Sequence, residues 1–477
     1  MNVDQAKKAL SEGFGDSLDL AIVESTVCGR CALYAFVDGM SDRVLLEQGI
    51  MQPLVGREDP VVDERTLNHI TYSSAQFNRV ENFDEAQTSI AEGNILLFVE
   101  PDLFFEINLA KYPKRAIMEP PTATVLKGPR EGFVEDLAQN TTLLRRRLRD
   151  RSLIIRERKV GRLSHTRVAI CWLSTVADER VVDEITRRIE AIDIDAVLDS
   201  SYVGQLIEDN PHSLFTQYGS QEKPDIVAAK LLEGRVAVIV DGSPMVLTFP
   251  CLFIEGFQDS EDYYRKSKRT TLLRMVRLIC VAMSVLLPAL YVAMQEYHYQ
   301  LLPLKFLITV IKATNGVPFN PTTEMFVVLL LFEVLNEASV RMPKYVGMAL
   351  SIVGAIVLGE TAVNAGLLSS PAVLVMALSA IGMYTTPNNA GPFSIMRLVF
   401  LLFASLLGLV GVIAAVSVFV CYTVTMTNYG TDYVAPIAPL VAGDLKDSLI
   451  KAPIEDMEER PYSLPNKNRR RFKKGGK

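Results

Sequence analysis

The sequence has little of what an enzyme's active site is made from. Histidine occurs four times in 477 residues, at His69, His165, His212 and His298, too far apart to mark a metal set or a base beside a nucleophile. Tryptophan occurs once. No Walker loop, G-x-G-x-x-G, H-E-x-x-H or G-x-S-x-G run stands in a context that would give it meaning. The six cysteines are scattered, and only Cys28 and Cys31 have a C-x-x-C spacing. One such pair without a second reads as reduced thiols near a core. No catalytic, cofactor or metal-ligating residue is assigned, and an enzyme is not expected. A basic excess is missing too: the net charge is -6, so nothing overall points to nucleic acid. The opening "MNVDQAKKALSEGFGD" lacks an apolar h-region, so no cleaved signal peptide is expected.

What is present falls into two halves, which the mean hydropathy of +0.21 averages away. Residues 1–265 carry charge throughout, whereas residues 272–426 are dominated by apolar runs. Basic residues flank those runs, in "YRKSKRTTLLRMVR" (264–277) and "NKNRRRFKKGGK" (466–477). Basic clusters beside apolar runs read as cytoplasmic anchors.

The first half repeats itself. "CALYAFVDGMSDRVLLEQGI" (31–50) and "VAICWLSTVADERVVDEITRRI" (168–189) each read as strand, turn and amphipathic helix, and Asp42-Arg43-Val44-Leu45 aligns with Glu179-Arg180-Val181-Val182 at an offset of 137. "EGNILLFVEPDLFFEINL" (92–109) and "EGRVAVIVDGSPMVLTFP" (233–250) follow at an offset of 141. Near-equal offsets of this length indicate a duplicated α/β domain rather than a solenoid. The expected order is a first subdomain over 1–127, a linker helix within 128–160 with a basic face of Arg145, Arg146, Arg147 and Arg149, and a second subdomain over 161–263. A helical membrane domain over 264–430 and a basic, partly disordered tail over 431–477 complete it.

In the membrane half four spans are expected, with a six-span count as the alternative: Leu278–Met294, Met325–Val340, Tyr345–Leu368 and Leu398–Val424. Two shorter pieces, Leu301–Ala313 and Pro371–Thr385, suit re-entrant or interfacial helices. The third span holds two stripes. Gly347, Ser351, Ala355 and Gly359 form a small-residue ridge for close helix packing. Val353, Val357, Glu360 and Asn364 fall on the opposite side at about 100° per residue. A carboxylate facing lipid costs about 3 kcal/mol, so Glu360 is expected to face water, a partner or a lumen. Glu333 and Glu337 on the preceding span are the next pore candidates, and Glu337 is also spaced to pair with Arg341.

Seven segments in order resemble one family: "PREGFVEDLAQNTTLLRRRLRD", "DIDAVLDSSYVGQLIED", "KPDIVAAKLLEGRVAVIVDGSP", "SEDYY", "LPALYVAMQEYHYQLLP", "VPFNPTTEMFVVLLLFEVLNEASVRMP" and "SIVGAIVLGETAVNAGLLSSP". They are similar to the A subunit of bacterial spore germinant receptors, the GerA family, including a paralogous branch similar to the spore protein SpoVAF. The resemblance implies a cytosolic two-part domain and a membrane domain in the inner membrane of the dormant spore. It also implies a transporter-like B subunit and a lipoprotein C subunit as partners. A ring of A subunits, proposed as a pentameric nutrient-gated monovalent cation channel, is a further implication, with nutrient recognition left to the B subunit. Membrane lipids are the remaining partner. The alternatives are a secondary transporter, which would show repeats in the membrane half, and a non-conducting membrane scaffold of the germination apparatus.

Overall fold

The computed structural model describes residues 1–57, 62–71, 76–110, 127–341, 354 and 357–472. The chain opens with α1 (Val3–Gly13), β1 (Leu20–Val27) and β2 (Arg30–Val37). A helical run from Arg43 to Leu54 follows, then α2 (Glu64–Ile70), β3 (Phe77–Val80), α3 (Phe83–Ala91), β4 (Ile95–Val99) and β5 (Leu103–Ile107). The second unit repeats that order with α4 (Leu137–Arg147), β6 (Leu153–Val160), β7 (Thr166–Leu173), α5 (Glu179–Glu190), α6 (Ser200–Ile207), β8 (Gly219–Gln221), α7 (Pro224–Leu231), β9 (Val236–Val240) and β10 (Val246–Phe249). The sheets run β1-β2-β4-β5-β3 and β6-β7-β9-β10-β8, antiparallel throughout.

The strand sequences explain the layers. In β9, Val236, Val238 and Val240 pack with α5 and α6, while Ala237 and Ile239 pack with α4 and α7. Both faces are covered, so the strand reads as an unbroken apolar run instead of an alternating one. β4 does the same, sending Leu97 into one core and Leu96 and Phe98 into the other. On α5, Val181, Val182, Ile185 and Ile189 face inward, and the Asp178 side chain caps the helix by accepting from Arg180 N.

The boundary expected at 161 moves. β6 pairs with β7 along its whole length, and Leu137 and Leu144 of α4 enter the second core. Residues 128–160 are therefore the start of the second repeat, not a separate linker. The supposed basic face is also divided. Arg145 is fully buried and reaches across to the first unit, its Nε 2.7 Å from Asp19 Oδ2 and its Nη2 2.9 Å from Oδ1. Arg146 and Arg147 donate to Glu131 at 2.8 and 2.9 Å.

The remaining helices are α8 (Glu261–Tyr264), α9 (Ser267–Glu296), α10 (Leu304–Thr314), α11 (Pro321–Arg341), α12 (Ser370–Met383), α13 (Ala390–Leu407) and α14 (Leu409–Val424). Two of them, α9 and α13, are long and apolar enough to cross a membrane. α9 runs away from the second sheet unit. At its far end Glu296 accepts from Thr322 at 3.0 Å, so α11 starts there and heads back. α12 also returns along α9: Ala372 packs near Val292, Ser379 Oγ donates to Ser284 O at 2.6 Å, and Gly382 abuts Cys280 O. It lies lengthwise in the bundle, in place of the interfacial position expected for Pro371–Thr385. α10 stays at the far end with Val310 as its buried residue.

The expected single span Leu398–Val424 is two helices. Gly408 has φ +62°, a conformation that favours glycine, and Gly411 presses directly on Phe403 O. α13 therefore leaves the sheet unit, where Phe393 meets Phe215 and Phe257, and reaches Tyr297 and His298 at Gly408. α14 brings the chain back to Phe215 through Phe419. The segment after it is docked and does not form a free tail. A small hairpin, β11 (Thr427–Asn428) and β12 (Thr431–Asp432), leads to Tyr433 and Leu464 in the core between helices and head, and Lys467 pairs with Glu179 at 2.6 Å.

Candidate functional site

Two charged clusters hold the helices to one another and to the sheets. The first is at the root of α9. Asp262, on α8, is fully buried, and its carboxylate takes Arg277 Nη1 at 2.8 Å, Arg277 Nη2 at 3.0 Å and Arg274 Nε at 3.2 Å. Arg274 also donates through Nη1 to the carbonyls of Asp447 and Ser448, both at 2.9 Å. Tyr263 Oη donates to Asp447 Oδ2 at 3.1 Å, and Lys451 N donates to Thr271 Oγ1 at 3.1 Å. The stretch 447–451 thus clamps the root of α9, while residues 460–471 of the same segment grip the second unit through Arg460 and Arg471.

Burial, with Glu233 close by, pushes the Asp447 carboxyl up to about 6 against the pull of Arg274. Glu255 answers oppositely. Burial alone would raise it, but Arg235 and Lys230 hold it down at about 2. Glu255 is therefore a fixed charge and Asp447 a titrating one.

The second cluster lies among the helices. Arg397 of α13 is fully buried, with Nη2 2.6 Å from Glu333 Oε1 of α11 and Nη1 3.1 Å from Ser379 Oγ of α12. Ser394 also donates to Glu333, and the guanidinium stacks 5.4 Å from the Phe332 ring. Because Ser379 donates onward to α9, one network ties four helices. Removing one partner of such a buried pair strands the other charge, which is the costly case.

The predicted site residues separate accordingly. Glu333 is a paired structural carboxylate. Glu337 is exposed and bonds Arg341 at 2.7 Å. Gly347, Ser351, Val353 and Ala355 lie outside the described residues. Val357 and Glu360 fall in a π-type turn, Val357–Thr361, and Asn364 ends the short helix Ala362–Asn364. That turn breaks the 3.6-residue period, so the arithmetic placing the two stripes on opposite faces does not carry through it. Gly359, Glu360 and Asn364 are all exposed in a single chain, and a Cβ at Gly359 would meet nothing within 4 Å. Among the described residues no group of three His, Cys, Asp or Glu could hold a metal.

Arg397 was legible as a lone charge in the apolar run "IMRLVFLLF", the usual mark of a functional or paired intramembrane residue. Asp447 carried no such signal, since its partners are more than 170 positions away.

A two-unit α/β head whose second unit is strapped to a helical bundle is the class that this geometry defines. The profile described as Bacillus/Clostridium GerA spore germination protein matches residues 8–463, and the chain belongs to that family. Spore germination protein KA of Bacillus subtilis (strain 168) is 32% identical over 98% of this chain and 87% of its own length. Spore germination protein GerLA of Bacillus cereus is 33% identical over 98% and 96%. An uncharacterized membrane protein of B. subtilis, YfkQ, is 34% identical over 92% and 86%. The crystal structure of the N-terminal domain of the A subunit of the Bacillus megaterium spore germinant receptor GerK3 matches at 27% identity and a TM-score of 0.42, over 53% of this chain and 95% of that one.

Proposed function

We propose that this chain is the A-type membrane subunit of a spore germinant receptor and that it assembles into a ring releasing monovalent cations. The transporter-like B subunit and the lipoprotein C subunit would supply nutrient recognition, in the inner membrane of the spore. Family membership over residues 8–463 carries the reading. The helices α9, α11, α12, α13 and α14 run lengthwise in one bundle, and α9 and α13 are long and apolar enough to cross a membrane, which supports a multi-pass membrane domain. Both the head and the docked C-terminal segment then sit on one side, which the basic residues around 264–277 make cytoplasmic.

In this reading the ion pair Glu333–Arg397 sets the bundle, and the exposed Glu360 and Asn364, with Val353 and Val357, line the axis formed by neighbouring copies. A carboxylate ring would concentrate cations and a valine ring would close by dewetting. The clamp on α9 gives the head a direct mechanical route to the bundle. Reconstitution of the purified chain into liposomes, with and without B and C subunits, tests it: potassium efflux is expected on addition of nutrient. Substrate-coupled uptake would indicate a transporter, and no flux under any condition a scaffold.

A further inference from the structure

The second unit, α8 and the C-terminal segment enclose a cavity of about 360 Å³. Arg235, Arg460 and Arg471 line it, together with Leu232, Tyr263 and Tyr264. Most of its charges are already matched. Glu255 takes Lys230 at 2.7 Å and also Arg235, and Glu233 takes Arg471 at 2.7 Å.

Arg460 is different. It is 8% exposed and donates to carbonyl oxygens, those of Leu232 at 2.6 Å, Asn468 at 3.0 Å and Arg470 at 2.5 Å. Among the described residues it forms no ion pair. Burial and then the neighbouring Arg471 guanidinium lower its pKa, while the Glu233 carboxylate, already paired with Arg471, raises it. Among the described residues the Nε–H groups of Arg235 and Arg471 are also buried without an acceptor. Arg235 is itself only 4% exposed, so its unused donor is a real cost to the folded state. Asp225 and Asp259 line the cavity beside Glu233 and Glu255, so four carboxylates balance Lys230 and the three arginines in number. What is left over is one buried guanidinium held by carbonyls and two idle donors, which one acceptor-rich anion would satisfy. Guanidinium groups suit the tetrahedral oxygens of a phosphate, and the ring of Tyr263 and the side chain of Leu232 offer apolar surface to whatever bears it.

We propose that this cavity is a binding site for a phosphate-bearing small molecule or headgroup, with Arg460 as the charge partner and Arg235 and Arg471 as donors. Its walls come from three separate elements, so an occupant would fasten the C-terminal segment that clamps α9. The site stands on the cavity alone, whether or not the chain conducts ions.

Full-length protein in detergent, titrated with inorganic phosphate against chloride at equal ionic strength, tests it by thermal midpoint and by hydrogen exchange over residues 460–471. A saturable rise of about 2 °C or more is expected, with slower exchange in that segment. Arg460→Gln should weaken half-saturation at least about tenfold, whereas Arg162→Gln, on the remote surface, should not change it. Should Arg460→Gln fail to fold, Arg471→Lys keeps the charge, removes the Nε donor and should still weaken binding. A shift that appears only with phosphatidic acid in the micelles assigns a lipid headgroup, and a shift with inorganic phosphate a soluble ligand. The absence of both shifts, or a shift in Arg460→Gln and Arg471→Lys equal to that of the unaltered chain, overturns the site.

Discussion

The two sheet units share one order of helices and strands, yet only the second touches the rest of the molecule extensively. The first unit keeps its apolar content in two closed cores and meets the second through the buried pair Arg145–Asp19, through Leu18 N donating to Ile155 O at 2.9 Å and Ile155 N to Ser17 Oγ at 3.0 Å, and through Arg151 with Asp84 at 2.9 Å. The second unit has the same cores and, beyond β10, carries Glu255, Asp262 and the root of α9. Duplication supplied two equivalent scaffolds, and the added buried charges specialised one of them as the anchor. Where a unit needs stability alone, apolar layers suffice. Where it must hold a particular geometry against another element, the chain uses hydrogen-bonded ion pairs, which fix direction as well as proximity.

The comparison breaks most sharply at the contact between the units. Arg145→Ala leaves Asp19 buried without its cation, and a loss of about 3–5 kcal/mol is expected. Thermal unfolding followed by hydrogen exchange should show the two units melting separately, where the wild-type chain melts as one. A single shared transition in the variant would mean that the remaining contacts, Leu18 with Ile155 and Arg151 with Asp84, suffice to couple the units. Leu97→Ala should come next, at about 2–4 kcal/mol for a cavity in the first core. Exchange protection should fall across residues 20–107 while the clamp around Arg274 stays protected. Loss of protection in both places would show that the units are not independent.

These expectations also mark what was legible beforehand. The duplication was visible because strands with two covered faces leave long apolar runs, and these recur at matching intervals. The start of the second copy was not visible. α4 is rich in arginine, and that composition masked the fact that Arg145 is turned inward by Asp19, a partner 126 positions away. Among the helices, apolar length identified α9 and α13, but a hydropathy run continues straight through Gly408, so the turn there was hidden. Glu333 was expected as a pore candidate, whereas the structure pairs it with the buried Arg397, a partner that was missed. The π-type turn at Val357–Thr361 could not be foreseen, since the stripe argument presumes a regular helix.

Asp447 sharpens the contrast between fixed and titrating charges at the anchor. Its folded-state pKa is raised from 3.8 to about 6, so the folded chain holds that proton more tightly than the unfolded one. Its contribution is fully present below about pH 3.8 and is lost as pH rises through about 6. Glu255 runs the other way: its contribution is present above 4.5 and lost as pH falls through about 2. Between pH 5 and 7, then, Asp447 governs the clamp. Asp447→Asn should flatten the pH dependence of exchange protection at residues 270–277, a change of about 1–2 kcal/mol, and leave protection within the first unit unchanged. An unaltered slope would place the titration elsewhere.

Glu360 is the smallest case energetically and the most direct for function. It is exposed in the single chain and adjoins Gly359, where an added Cβ meets no atom of the described residues within 4 Å. Glu360→Gln should therefore alter stability by no more than about 0.5 kcal/mol, in contrast to Arg397, whose removal strands the carboxylate of Glu333. Gly359→Leu should likewise leave the isolated chain folded. The two variants part company in the proposed ring. A ring of carboxylates attracts cations, so Glu360→Gln should lower potassium flux about two- to tenfold with the oligomer intact. Gly359→Leu, placed where small residues permit close approach, should reduce oligomer formation. Val357→Ala should instead raise basal leak by widening the apolar constriction. Sizing by light scattering together with liposome flux reads all three. Unchanged conductance and ion preference in Glu360→Gln would remove this turn from the conduction path and leave it as surface facing lipid or a partner subunit.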